Sequence, residues 1–203
     1  MESEIKKILS TLNIPVAHLK YRGPSKTYIT WMMLEENPAF ASDDEITDSE
    51  IESEYFLLDS RDVTINQLHM KGKYSFQYMQ NLTIRNSILD TKDAFWHSKN
   101  VTVTDSVVKG EYLGWFSDGL TLVNCEISGT QPLCYCKNLK LHNCTMQGTD
   151  LAFEYSDVEA EIRGQIDSVK NPHSGKIIAD RIGTIIREDA VLDCNAQIVI
   201  REE

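Results

Sequence analysis

The chain has no run of about eighteen consecutive apolar residues, so no membrane-spanning helix is expected and a membrane partner is excluded. Its start, Met1-Glu2-Ser3-Glu4, lacks the basic flank and apolar stretch of a secretory signal, which makes a cytoplasmic location the expectation. Positive charge is scarce: 20 Lys and Arg stand against 31 Asp and Glu, a net charge of −11. Phosphate backbones are bound by clustered cations, so nucleic acid is excluded as a partner. The five cysteines are odd in number and lack the spacing of a disulfide framework, which predicts reduced thiols. Cys134-Tyr135-Cys136 is not a CxxC pair and has no histidine at ligand spacing, so no metal site is expected. Ser/His/Asp constellations, phosphate-cradling glycine loops and EF-hand loops are missing too, and no cofactor is implied.

What the chain does have is a nineteen-residue repeat, six units long without an insertion, starting at Asp62, Asn81, Asn100, Gly119, Asn138 and Asp157. Its second column reads Val63, Leu82, Val101, Leu120, Leu139, Val158, and its fourth Ile65, Ile84, Val103, Leu122, Leu141, Ala160. A mostly polar or β-branched column lies between, so each unit opens with the alternation of a strand that buries one face. The ninth column, mainly apolar (Met70, Leu89, Val108, Ile127, Met146, then Gln165), predicts a second inward strand after a corner. Glycine recurs in the eleventh at Gly72, Gly110, Gly129 and Gly148, where a sharp turn with positive φ is expected. The sixth column, Gln67, Asn86, Asp105, Asn124, Asn143, predicts a ladder of amides bonded to one another at the first corner. Cys125 and Cys144 share the seventh column with Ser87 and Ser106 and should lie one above the other as small buried residues.

Nineteen residues are too few for a strand, a packed helix and a return, but they suit one turn of a solenoid. The expected fold is therefore all-β: a single-stranded right-handed parallel β-helix of about seven coils, about 4.8 Å apart, with a small non-repeating α/β segment at the N-terminus. Residues 56–203 form the β-helix, with regular coils over 62–174 and closing coils over 175–203. Residues 1–55 stand outside it as a candidate cap. Within them Ile5, Ile8, Leu9 and Leu12 have helical spacing, Tyr28 to Met32 reads as a strand, and 43–54, with seven acids in twelve residues, reads as a solvated linker.

Five stretches fall in order along the repeat: Lys92-Asp93-Ala94-Phe95-Trp96, Gly110-Glu111-Tyr112-Leu113-Gly114-Trp115, Asn124-Cys125, Asp150 to Ser156, and Ser168-Val169-Lys170-Asn171-Pro172. Together they resemble the C-terminal half of an uncharacterised bacterial family, a domain of unknown function grouped with pectate-lyase-like right-handed β-helices. The resemblance covers about residues 56–190 and implies the fold, with no reaction, cofactor or catalytic residues attached. Thr27 to Trp31 and Ala41 to Glu45 are faintly similar to the opening of phage tail-completion proteins.

The twelfth to seventeenth columns stop repeating and become chemically rich. Aromatic rings beside carboxylates suit an oligosaccharide, so Asp93, Glu111, Asp150 and Glu154 are the candidate catalytic acids, and Lys92, Trp96, Tyr112, Trp115 and Tyr155 the candidate substrate-binding residues. Asp93 and Glu111 fall on adjacent coils, about 5 Å apart, near the ~5 to 5.5 Å of a retaining glycosidase pair. The sixteenth column (Gln77, Trp96, Trp115, Cys134, Phe153) reads equally as an internal stack filling the coil. The functional expectation is binding or processing of carbohydrate on this lateral face; the alternatives are a non-catalytic scaffold, or a fragment lacking part of its parent's site. Whether the chain is an enzyme, and its oligomeric state, stay open at this level.

Overall fold

Each coil runs along two sides as β-strand and returns along a third side built from turns. The computed structural model describes residues 20–22 and 44–201. The helix expected near Ile5 to Leu12 and the strand over Tyr28 to Met32 lie outside the described residues. Among the described residues fourteen strands form, in chain order β1 Lys20–Arg22, β2 Asp44–Glu54, β3 Arg61–Lys73, β4 Gln80–Arg85, β5 Ile88–Lys92, β6 Lys99–Thr104 and β7 Val107–Lys109. There follow β8 Asp118–Val123, β9 Glu126–Thr130, β10 Leu139–Thr145, β11 Thr149–Asp150, β12 Asp157–Lys170, β13 Ser174–Ile186 and β14 Gln197–Ile200. Pairing is parallel throughout except for β1, which lies antiparallel on β2 at Glu50–Glu52. The register advances by nineteen residues, as in Val63↔Leu82, Leu82↔Val101 and Val101↔Leu120. The result is an all-β parallel solenoid of about eight turns.

The acidic stretch over 43–54 is not a linker. Asp44–Glu54 is an additional coil in register with the repeat, with Ile46 over Ile65 and Ile51 over Met70. Ile46, Ser49, Ile51 and Ser53 are buried, while Glu50 and Glu52 face out. The acids on alternate residues are thus the solvated face of a strand, and Glu54 meets Lys73 of the next coil at 3.0 Å. The solenoid starts before residue 56, which accounts for the count above seven.

The second and fourth columns, and the ninth as far as Met146, are buried along the described stack and form one continuous core; in the sixth unit Ile166 takes the inward place beside the half-buried Gln165. Serines and cysteines of the seventh column line one corner. The Leu68 N–H donates to Ser87 Oγ and the Ser87 N–H to Ser106 Oγ, both at 3.0 Å, and each hydroxyl donates in turn to a carbonyl two residues back in its own coil. Cys125 and Cys144 continue this column with sulfur, donating to Val123 O and His142 O. The amide ladder forms as Asn124 Nδ2 donates to Asp105 Oδ1 and Asn143 Nδ2 to Asn124 Oδ1. A second ladder, on the first column, links Asn100, Asn81 and Asp62.

The eleventh-column glycines have the expected positive φ at Gly110, Gly129 and Gly148, and close approach is a second constraint on three of the four. A Cβ on Gly72, Gly110 or Gly129 would lie 1.8, 2.4 or 2.0 Å from the carbonyl oxygen of the coil before it. Gly72 has no positive φ and answers to close approach alone; Gly148, at φ +78 with open space around it, answers to the turn alone.

Candidate functional site

The third side of each coil, the twelfth to eighteenth positions, carries the chemically varied residues. Its backbone is unusual: the thirteenth, fifteenth and seventeenth positions are left-handed in successive coils, as in Tyr74, Phe76 and Tyr78 (φ 59, 61, 57) and Asp93, Phe95 and His97 (φ 54, 63, 55). Left-handed backbone costs a non-glycine residue about 1–2 kcal/mol. Here hydrogen bonds between coils offset it: Asp93 N–H donates forward to Glu111 O at 2.8 Å, Phe95 N–H back to Ser75 O at 3.0 Å, and His97 N–H forward to Trp115 O at 2.9 Å.

This conformation divides the seven columns among three environments. The fourteenth and fifteenth point inward, and Phe56, Phe76 and Phe95 are fully buried in contact with one another, Phe76 and Phe95 stacked at 5.0 Å. Of the sixteenth column, Cys134 and Phe153 are fully buried as an internal stack requires, whereas Trp96 and Trp115 are not, and in the earlier coils the internal rings fall at the fourteenth and fifteenth positions. Trp96 and Trp115 sit half-buried at the rim, stacked on each other at 5.3 Å and 5°. Their indole N–H groups donate to the thirteenth-column carbonyls of the following coil, Tyr112 O and Gln131 O, and Gln77 Nε2 uses Asp93 O in the same way.

The seventeenth column is outermost. Tyr78, His97, Phe116 and Tyr135 form a continuous stack with centroids 4.9, 5.0 and 4.9 Å apart and planes within 15°. Tyr155 extends it at a tilt, 5.8 Å from Tyr135. Because the rings pile along the solenoid axis, their faces are spent on each other and their edges meet solvent; Tyr78 is 48% and Phe116 44% exposed. A platform that stacks a sugar presents ring faces, and this ladder presents edges.

The candidate acids separate into two groups. Around coils two and three, Lys92 Nζ binds Glu111 Oε2 at 2.7 Å and lies 5.3 Å over the Tyr112 ring. Asp93 is buried at 5% exposure and, among the described residues, its carboxylate makes no side-chain hydrogen bond. Desolvation raises its pKa above the ordinary aspartate value, opposed by Lys92 and assisted by Glu111. Further along, Glu154, 9% exposed, binds Lys170 at 2.8 Å and accepts from the Tyr135 hydroxyl at 3.5 Å. Burial, with Glu154 beside it, pushes the Tyr135 hydroxyl up. Asp150 is exposed on its own coil, and the Tyr155 hydroxyl accepts from the Val191 N–H of the C-terminal loop. The structure thus joins Lys92, Asp93, Glu111 and Tyr112 with the two tryptophans, and puts Glu154 and Tyr155 in a separate cluster.

Over residues 32–200 the sequence matches the family described as Protein of unknown function (DUF3737). The chain belongs to this family. No curated protein and no solved structure matches it. The DUF3737 match begins ahead of residue 56, so the later part of the first 55 residues is family sequence, in agreement with the strand found over Asp44–Glu54. The pectate-lyase-like grouping and the phage tail-completion likeness find no support in this match, and residues 41–45 of the latter fall inside the DUF3737 span.

Two features of this DUF3737 member escaped the sequence reading. The ring ladder was visible as one aromatic column, Tyr78, His97, Phe116, Tyr135, whose outward direction depends on the left-handed backbone. Lys170 as the partner of Glu154 was not visible, because the two lie on neighbouring coils where the nineteen-residue period has already slipped.

Proposed function

We propose that this DUF3737 member is a non-catalytic interaction scaffold whose lateral ring ladder is the contact surface. The observation that supports it best is the state of the site's own groups. Glu111 and Glu154 are each held by a lysine, both indole N–H groups bind backbone, and the ladder rings face one another. Groups satisfied in this way stiffen a surface and have little left to give a transition state. The exposed ring edges, Tyr78 at 48% and Phe116 at 44% exposure, offer the aromatic, partly polar strip that protein interfaces favour. Proximity labelling with the wild type and with a Tyr78→Ala, Phe116→Ala double variant tests this: the variant should fold and lose a defined set of neighbours. An unchanged neighbour set speaks against the ladder as the contact surface.

Asp93 supports a second reading, the binding or processing of carbohydrate. A nearly buried carboxyl with a raised pKa and no bonded partner has the character of a general acid, and Glu111 lies one coil away. Glu111 would act as its partner once freed from Lys92, with Tyr112, Trp96 and Trp115 at the rim and Asp150, Glu154 and Tyr155 further along the chain of subsites. A glycan array and a hydrolase and lyase panel on the wild type and on an Asp93→Ala, Glu111→Ala variant decides between the readings. Turnover or binding lost in the double variant establishes the carbohydrate reading; none in the wild type removes it.

A further inference from the structure

The C-terminal end of the stack carries features that neither reading uses. Strand β14 is the last in the sheet order, and among the described residues nothing pairs with its outer side. The Arg201 N–H donates back to Ala179 O at 2.9 Å. In a parallel ladder a residue's N–H and C=O point to the same side and alternate along the strand, so Val199 and Arg201 face β13 while Ile198 and Ile200 aim their backbone groups off the end. Natural edges of this kind are blunted by shortness, charge, proline or a bulge; Gln197–Ile200 is short, at four residues, but carries no charge or proline within it, and the charges Arg201-Glu202-Glu203 come after it. Exposed apolar side chains gather at the same end: Ile185, Val191, Leu192 and Ile200 are 42, 83, 54 and 47% exposed.

We infer that this end pairs with a second copy of the chain, β14 against β14 about a two-fold axis through Val199. Antiparallel pairing in that register sets Ile198 opposite the partner's Ile200, so that both outward N–H and both outward C=O groups of each copy are bonded. Gln197 then faces the partner's Arg201, and no like charges meet. The charge distribution selects this end. Residues 174–203 hold four cations (Lys176, Arg181, Arg187, Arg201) and six anions (Asp180, Glu188, Asp189, Asp193, Glu202, Glu203), net −2 in a chain of −11. Residues 44–61 hold seven acids and one arginine, net −6, so the opposite end repels a copy of itself, and its edge is already occupied by β1 along Glu50–Glu52. An isologous end-to-end pair closes on itself and does not propagate into a fibre.

Sedimentation velocity on the full chain, over a dilution series of about two orders of magnitude, tests this. The wild type should move from twice the chain mass to the chain mass. Ile200→Pro removes an outward N–H without touching the ladder to β13, and Val199→Lys sets two ammonium groups face to face on the axis. Each should raise the dissociation constant by about tenfold or more, with unchanged far-ultraviolet circular dichroism. Amide exchange gives an independent readout: Ile198 and Ile200 should be protected only at high concentration, and Val199 at all concentrations. A wild type that stays monomeric, a dimer that neither variant weakens, or amide protection at Ile198 and Ile200 that is independent of concentration would each overturn the inference.

Discussion

At the residue scale the seventh-column serine is a backbone substitute. At that corner Ser87 Oγ accepts the Leu68 N–H, which lies in a fully buried residue. Ser87→Ala therefore leaves an unpaired buried donor and should cost about 1–3 kcal/mol in urea unfolding. Ser87→Cys should cost less, because Cys125 and Cys144 already serve in that column. Thiol chemistry is a poor use for these positions. Burial pushes the Cys134 thiol up and holds Cys136 at about 11, so a thiolate is suppressed at neutral pH. Asp93 is the opposite case, a charge kept where it is unwelcome. Its folded pKa lies above its unfolded one, so the folded state holds the proton longer and stability falls as pH rises through that interval. Asp93→Asn should thus raise the melting temperature at neutral pH, and the gain should vanish below the ordinary aspartate pKa. A variant no more stable at neutral pH would show that the carboxylate is compensated in solution.

At the element scale the fold was legible wherever a residue's role follows from strand alternation. The second and fourth columns, and the ninth as far as Met146, were read as core and are core, because an in-register ladder puts equivalent residues in equivalent environments. Asp44–Glu54 was misread because its acid count outweighed its alternation; Ile46 and Ile51 already occupied the fourth and ninth columns. The eleventh column was correctly marked as special: Gly110, Gly129 and Gly148 have the expected positive φ, and close approach of the preceding coil at Gly72, Gly110 and Gly129 is a second cause that the pattern did not show. There Gly110→Ala would force a Cβ to 2.4 Å from Thr91 O, at φ +150. A loss of about 2–4 kcal/mol is expected in chemical denaturation, whereas Gly148→Ala, with open space around it, should lose only the left-handed penalty of about 1–2 kcal/mol.

At the scale of the whole molecule, stability is a sum over coils and the contacts between neighbours. Removal of residues 100–118, one complete repeat, should leave a folded, shorter solenoid, since Lys99 then leads into Gly119 at the same phase of the coil. Its circular dichroism should keep the wild-type shape while its melting temperature drops, and the Lys92 to Glu111 pair is lost with it. Removal of half a repeat shifts every later core column onto the surface and should abolish folding.

The sequence alone determined the architecture, because a nineteen-residue period with two apolar alternations has few ways to bury its faces other than by stacking on itself. It also determined which columns vary, and so where a site could sit. Tertiary structure decided what those varied residues can do. The left-handed backbone of the third side sends Phe95 inward, leaves Trp96 at the rim and turns His97 out, three directions in three consecutive residues that no two-residue or 3.6-residue period predicts. Stacking between coils then turned ring faces into ladder contacts, and lysines from neighbouring coils claimed Glu111 and Glu154. Those choices belong to contacts between residues a coil apart, and composition within a coil does not contain them.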